Sequence, residues 1–118
     1  MLQDMYRHLC SKVDFHLVYV AEAHATDEWP ISYPTVTPQH TTAAEREAAL
    51  AKFVAAYAWT VPSSIDDLDD TASVVMGAWP FRMYIGYKGK VAYQGMPEDC
   101  TYSTTTLYER LVALGVEL

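Results

Sequence analysis

The feature that most constrains this chain is a short apolar run, Phe15-His16-Leu17-Val18-Tyr19-Val20, reached directly from a stretch with helical spacing. Leu2, Met5, Tyr6, Leu9 and Val13 fall on one face of that helix. The run after Asp14 is too short for a helix of its own and rich in β-branched and aromatic residues, so it is expected to be a strand covered on both faces. A helix that feeds straight into such a strand is half of an α/β unit.

Between Glu22 and Thr41 the periodicity stops, and Pro30, Pro34 and Pro38 recur among Thr, Ser and Tyr. Irregular segments of this length inside a compact domain are commonly functional. Thr42-Ala43-Ala44-Glu45 has the spacing of a capping box, and the helix it opens is expected to bury Leu50, Phe53, Val54 and Tyr57. Val61 to Ile65 is a weaker strand, placed near an edge because Pro62 cannot donate to a ladder. Asp70 is the expected cap of a short helix containing Val74 and Val75 and ending near Gly77. Arg82–Tyr87 and Lys90–Gln94 alternate around Lys88-Gly89, the pattern of a hairpin. Thr106 and Glu109 have capping-box spacing for a last helix that buries Leu107, Leu111 and Leu114 before Gly115.

The expected order is helix, strand, loop, helix, strand, helix, hairpin, helix, in one domain over residues 1–118. This is an α/β, thioredoxin-like pattern with an extra strand and helix in the middle. Trp79-Pro80 stands where that fold places a cis-proline, and a trans proline opening a strand is the alternative. Such sheets begin with a central strand and a turn that carries the nucleophile, and both are expected upstream of this sequence. Without them Phe15–Val20 and the hairpin lack the partner that would lie between them.

Composition narrows the function classes. Of 118 residues 51% are hydrophobic, which is enough for a single core. Fifteen acidic against eight basic residues give a net charge of −7 and no basic stripe, so nucleic acid is an unsuitable partner. No apolar stretch has the length of a membrane span, and Asp4 and Arg7 interrupt any leader-like start. The default compartment is the cytoplasm, with a signal or anchor upstream left open. Cys10 and Cys100 make no disulfide framework; two separate thiols are expected, a bridge between them being the alternative. Asp66, Asp67, Asp69 and Asp70 lack the glycine and terminal glutamate of a calcium loop and are expected to be a solvated helix start. No metal site is expected.

The informative stretch is Tyr19-Val20-Ala21-Glu22-Ala23-His24-Ala25-Thr26-Asp27-Glu28-Trp29. It resembles the signature after the second strand of the iodothyronine deiodinases. Pro38-Gln39-His40, Gly77-Ala78-Trp79-Pro80 and Lys90-Val91-Ala92-Tyr93-Gln94-Gly95 agree with that family in order, so the resemblance covers roughly Val13 to Leu111. It implies a three-layer thioredoxin-like sandwich in its peroxiredoxin-like variant, here without its first strand and nucleophile turn. It implies a selenoprotein-type oxidoreductase of thyroid hormone metabolism, which removes iodine reductively from a small aromatic substrate. A thiol reductant serves as co-substrate, no cofactor is bound, and a homodimer is expected.

On the same resemblance His24 is the proton donor or substrate contact, with Glu22, His40 and Tyr19 in its network and Trp29 and Thr26 at the substrate. On residue type alone, His24 is a loop histidine bonded to backbone, Glu22 a solvated acid, His40 an exposed residue before a helix and Tyr19 a core residue with a bonded hydroxyl. Trp29 either stacks on an aromatic ligand or closes the loop over the core.

Three departures accompany the resemblance. The nucleophile is expected upstream, and Cys10 lies too far along the first helix to replace it. Phe81 stands where the family has an acid, so Arg82 is expected to be structural. Met96-Pro97-Glu98-Asp99-Cys100 replaces a glycine-rich turn whose arginine helps clamp the hormone, which disfavours a carboxylate-bearing substrate. The rival readings are a peroxiredoxin-like or thiol-disulfide protein, and an inactive binding or dimerisation module.

Overall fold

A computed structural model of the chain describes residues 2–31, 37–97 and 102–117. In chain order the elements are α1 (Leu2–Leu9), β1 (Leu17–Tyr19), α2 (Ala43–Tyr57), β2 (Ser63–Ile65), α3 (Thr71–Met76), β3 (Met83–Tyr87), β4 (Lys90–Gly95) and α4 (Thr104–Ala113). The described residues form a mixed α/β arrangement with two small sheets, compatible with a thioredoxin-like fold. It comprises two compact units, His16–Pro80 and Met1–Phe15 with Phe81–Leu118.

The first unit is built on a β-α-β crossover. Strands β1 and β2 run parallel with Leu17, Val18 and Tyr19 opposite Ser63, Ser64 and Ile65, and α2 makes the connection that parallel strands require. Two further bonds extend the ladder, Leu17 N–H to the Pro62 carbonyl at 2.9 Å and Asp66 N–H to that of Tyr19 at 2.8 Å. The strand is shorter than the expected Phe15–Val20, and it is not covered on both faces: Val18 is 40% exposed. Among the described residues β1 pairs with β2 alone, so side chains alternate between a partly buried side and an open one.

Helix α2 starts as its spacing predicts. The Thr42 hydroxyl accepts from Glu45 N–H at 3.2 Å, and Glu45 Oε2 accepts from Thr42 N–H at 3.3 Å. Its buried face differs from the expected one. Leu50, Phe53 and Val54 are half-buried and Tyr57 is largely exposed, while Arg46 and Ala49 are buried. The buried face therefore lies about a turn nearer the N-terminus, with Phe53 among Tyr19, Tyr57 and Trp59 at ring separations of 6.2, 5.0 and 5.4 Å.

Helix α3 corrects the assignment of its cap. Asp70 occupies the cap position with φ of 54° but makes no capping bond; Asp66 accepts from Ala72 N–H at 2.9 Å and Ser73 N–H at 2.8 Å instead. Asp66 is thus buried rather than part of a solvated helix start. The helix ends at Gly77 in the left-handed region, φ 62°, as expected. The Trp79–Pro80 bond is cis.

In the second unit β3 and β4 form the expected antiparallel hairpin. Lys88 and Gly89 both have positive φ, 50° and 74°, which suits the twist of a two-residue hairpin turn. Helix α4 is capped by Ser103, whose hydroxyl accepts from Thr106 N–H at 3.1 Å, so it begins earlier than the Thr106–Glu109 spacing suggested. Leu9, Met83, Ile85, Leu107 and Leu111 form the core here, with Leu2, Met5, Phe15 and Leu114 against it. Arg82 donates to the Phe81 carbonyl and the Tyr102 hydroxyl, and the Phe81 and Tyr102 rings meet edge-on at 4.8 Å. Cys10 is an exposed free thiol, and Cys100 lies outside the described residues, as does part of the Met96–Cys100 turn. Among the described residues no helix is long and apolar enough to cross a membrane.

Candidate active site

The loop that leaves β1 and the segment that enters α2 are tied together by one side chain, Gln39. Its Oε1 accepts from Glu22 N–H at 3.0 Å and its Nε2 donates to the Glu22 carbonyl at 3.0 Å, replacing the two ladder bonds a neighbouring strand would make. Nε2 also reaches Glu28 Oε2 at 3.0 Å, and Gln39 N–H donates to Asp27 Oδ1 at 2.9 Å. Thr26 N–H donates to the Thr37 carbonyl at 3.1 Å. Ala25 is fully buried under this crossing.

The tie sets Glu22 beside Tyr19 and His40. The Tyr19 hydroxyl donates to Glu22 Oε1. His40 Nε2 stands 3.5 Å from the same oxygen, an ion-pair separation without hydrogen-bond geometry. The Tyr19 and His40 rings lie 5.9 Å apart. Three of the four expected catalytic residues therefore meet around one carboxylate oxygen. His24 is held apart from them: its Nδ1 contacts the Trp29 carbonyl at 3.2 Å, and the two rings lie 4.7 Å apart. A carbonyl only accepts, so His24 Nδ1 carries the proton and Nε2 is left for proton exchange. Trp29 is 63% exposed and Thr26 is exposed. Trp29 thus covers His24 rather than closing over a core.

A family model described as iodothyronine deiodinase matches residues 1–113. The chain belongs to the iodothyronine deiodinase family. Among its relatives it is similar to the type I iodothyronine deiodinase of Xenopus laevis, with 34% identity over 85 residues, 72% of this chain and 33% of that protein. It is also similar to the thyroxine 5-deiodinase of Gallus gallus, with 36% identity over 83 residues, 70% of this chain and 32% of the relative. The human thyroxine 5-deiodinase is 32% identical over 84 residues, 70% of this chain and 27% of its own length. The chain thus spans about a third of the length of these curated deiodinases.

The electrostatics of this family member's site follow from burial. Burial pushes the His40 imidazole below its ordinary value and the Arg46 charge adds to this, against the opposing pull of Glu22 and Glu45. Burial, reinforced by the bond to Glu22 and its charge, raises the Tyr19 phenol, which stays an O–H donor. Around Glu22 the arrangement can pass a proton between a phenol, a carboxylate and an imidazole.

Sequence reasoning missed Gln39 as a site residue, although it stands in the Pro38-Gln39-His40 match, and it missed Arg46, Asp27 and Glu28. The signal for Gln39 was its place in that match. Arg46 had none, since a charged residue early in a helix is ordinarily solvated.

Proposed function

We propose that the chain is part of a deiodinase-like oxidoreductase that removes iodine reductively from an iodothyronine or a related halogenated aromatic. On this reading its two units belong to a single thioredoxin-like domain of the peroxiredoxin-like variant. The nucleophile, a selenocysteine or cysteine, comes from sequence upstream of Met1. The protein works with a thiol reductant and as a homodimer. The observation that carries the reading is the meeting of Tyr19, Glu22 and His40 around one carboxylate oxygen in a chain of the deiodinase family.

In the proposed reaction the selenolate or thiolate attacks iodine, the carbon–iodine bond breaks, and its electron pair stays on the ring carbon, which takes a proton. A thiolate of the reductant then displaces iodide from the selenium or sulfur, and a second thiol releases the nucleophile as reductant disulfide forms. His24 delivers the ring proton through Nε2, because its Nδ1 proton is engaged by the Trp29 carbonyl. Glu22, held by Tyr19 and close to His40, is the proposed route by which that proton is replaced. Trp29 offers an exposed aromatic face for the substrate ring, with Thr26 beside it in the loop. The acidic character of Met96–Cys100 favours an aromatic without a carboxylate.

The test is iodide release by an N-terminally extended protein carrying its selenocysteine or cysteine, supplied with a thiol and an iodinated phenol or iodothyronine. Release is expected, and His24→Ala should lower it by about 10²- to 10⁴-fold. Equal release from both proteins removes His24 from the mechanism. Consumption of peroxide without any iodide overturns the reading in favour of a peroxiredoxin-like enzyme.

A further inference from the structure

Arg46 sits in the first turn of α2 and is 2% exposed, yet none of its side-chain bonds serves the helix. Nη1 donates to the carbonyls of Asp66 at 3.1 Å and Asp67 at 2.7 Å and to Asp70 Oδ1 at 3.0 Å. Nε donates to His40 Nδ1 at 3.3 Å. A guanidinium is planar and rigid, so the contacts at Nη1, all to the connection between β2 and α3, fix the direction of the Nε–H bond. Arginine has no lone pair to offer and keeps its charge at any ordinary pH. While the contact holds, His40 Nδ1 must be the bare nitrogen. The ring proton is then on Nε2, which is buried, has no hydrogen-bond partner among the described residues and stands 3.5 Å from Glu22 Oε1.

We propose that Arg46 is the positioning residue of this site: by donating Nε–H to His40 Nδ1 it holds the imidazole as the Nε2–H tautomer and presents that proton to Glu22. The proposal rests on the proton route described above, but its decisive measurement needs no activity. Buried unpaired donors are costly, and one held beside a carboxylate is primed to form its bond when Glu22 shifts or changes its proton. The groups facing His40 are Tyr19 from β1, Glu22 from the loop after it, and Glu45 and Arg46 from α2, with Asp70 behind the guanidinium. Two carboxylates attract a second proton to the ring; the filled Nδ1 site opposes it. Asp70 partly offsets the guanidinium charge while leaving its geometry intact.

The test is long-range proton–nitrogen NMR of the imidazoles in the nitrogen-15-labelled protein, followed through a pH titration. Wild-type His40 is expected as one tautomer, Nε2–H, that gains its second proton below the ordinary 6.5. Arg46→Lys keeps the charge but cannot bond the Asp67 carbonyl and His40 Nδ1 in the same plane. It should give a mixture of tautomers and shift the titration upward. A residue that merely supported the fold would lower stability in this variant and leave the tautomer unchanged. An Nδ1–H signal in the wild type overturns the proposal without any variant, as does a lysine protein with wild-type tautomer and titration. Should the lysine variant fail to fold, the wild-type spectrum alone decides. Absence of iodide release from the extended wild-type protein overturns the proposed function and leaves the positioning role of Arg46 standing.

Discussion

His40 connects the chemistry of the site to the stability of the protein. Burial and the Arg46 charge hold its folded proton affinity below the ordinary 6.5, so between those two values the unfolded chain binds the proton and the folded chain does not. Its contribution to stability is complete above about pH 6.5 and is lost as the pH falls through the folded value. Urea unfolding is therefore expected to weaken from pH 7 to pH 5, and His40→Asn should flatten that slope. An unchanged slope in the variant would show that His40 is not buried neutral. Asp66 and Glu45 act lower on the scale. For Asp66, burial is outweighed by the N–H groups of Ser73, Ala72 and Asp67, and for Glu45 the backbone and hydroxyl of Thr41 dominate. Both carboxyls are depressed, so their contributions are present above the ordinary carboxylate range and disappear in acid. Of these residues, the sequence marked His40 through the family resemblance and Glu45 through its capping spacing. Arg46 and Asp66 were not legible, because only their partners' positions in space make burying a charge tolerable.

At the scale of elements, the helix starts divide by how local their signals are. The Thr42–Glu45 capping box lies within four consecutive residues and forms as its spacing predicts. The start of α3 is satisfied instead from outside the helix, by Asp66. Asp66→Ala strips the acceptor from Ala72 and Ser73 N–H and is expected to cost about 1–3 kcal/mol. Asp66→Asn, which keeps one acceptor, should cost less. The measure is a fall in urea midpoint at unchanged m value, and equal stability of the alanine variant would return the capping role to Asp70. The strand boundaries show the same division. Apolar runs marked where strands occur, but β1 ends where its pairing with β2 ends, which no run of residues records. In the loop after β1, Gln39 supplies the bonds to Glu22 that a ladder would otherwise make, and so carries the site beyond the strand.

For the molecule as a whole, the net charge of −7 is a self-repulsion that favours expanded chains. Salt screens it, with a Debye length of about 8 Å at 0.15 M ionic strength. The thermal midpoint is accordingly expected to rise between low salt and 0.15 M sodium chloride; a fall would mean that attractive pairs such as Arg46–Asp70 and Arg7–Asp4 outweigh the net charge. The family match over residues 1–113 runs through both units. The sequence by itself determined that family, the order of helices and strands, the hairpin around Lys88-Gly89 and the capping of α2. All of these depend on residues close in the chain or on a pattern shared along it. Only the tertiary structure decided which residues surround Glu22, that His24 keeps company with Trp29 rather than with His40, and that Arg46 is buried against His40. Those contacts join positions 3 to 18 residues apart through an irregular loop and two helix starts, where no periodicity constrains what comes together. The apolar run after Asp14 forms a strand of three residues, and the last of them, Tyr19, is the one that reaches the candidate site.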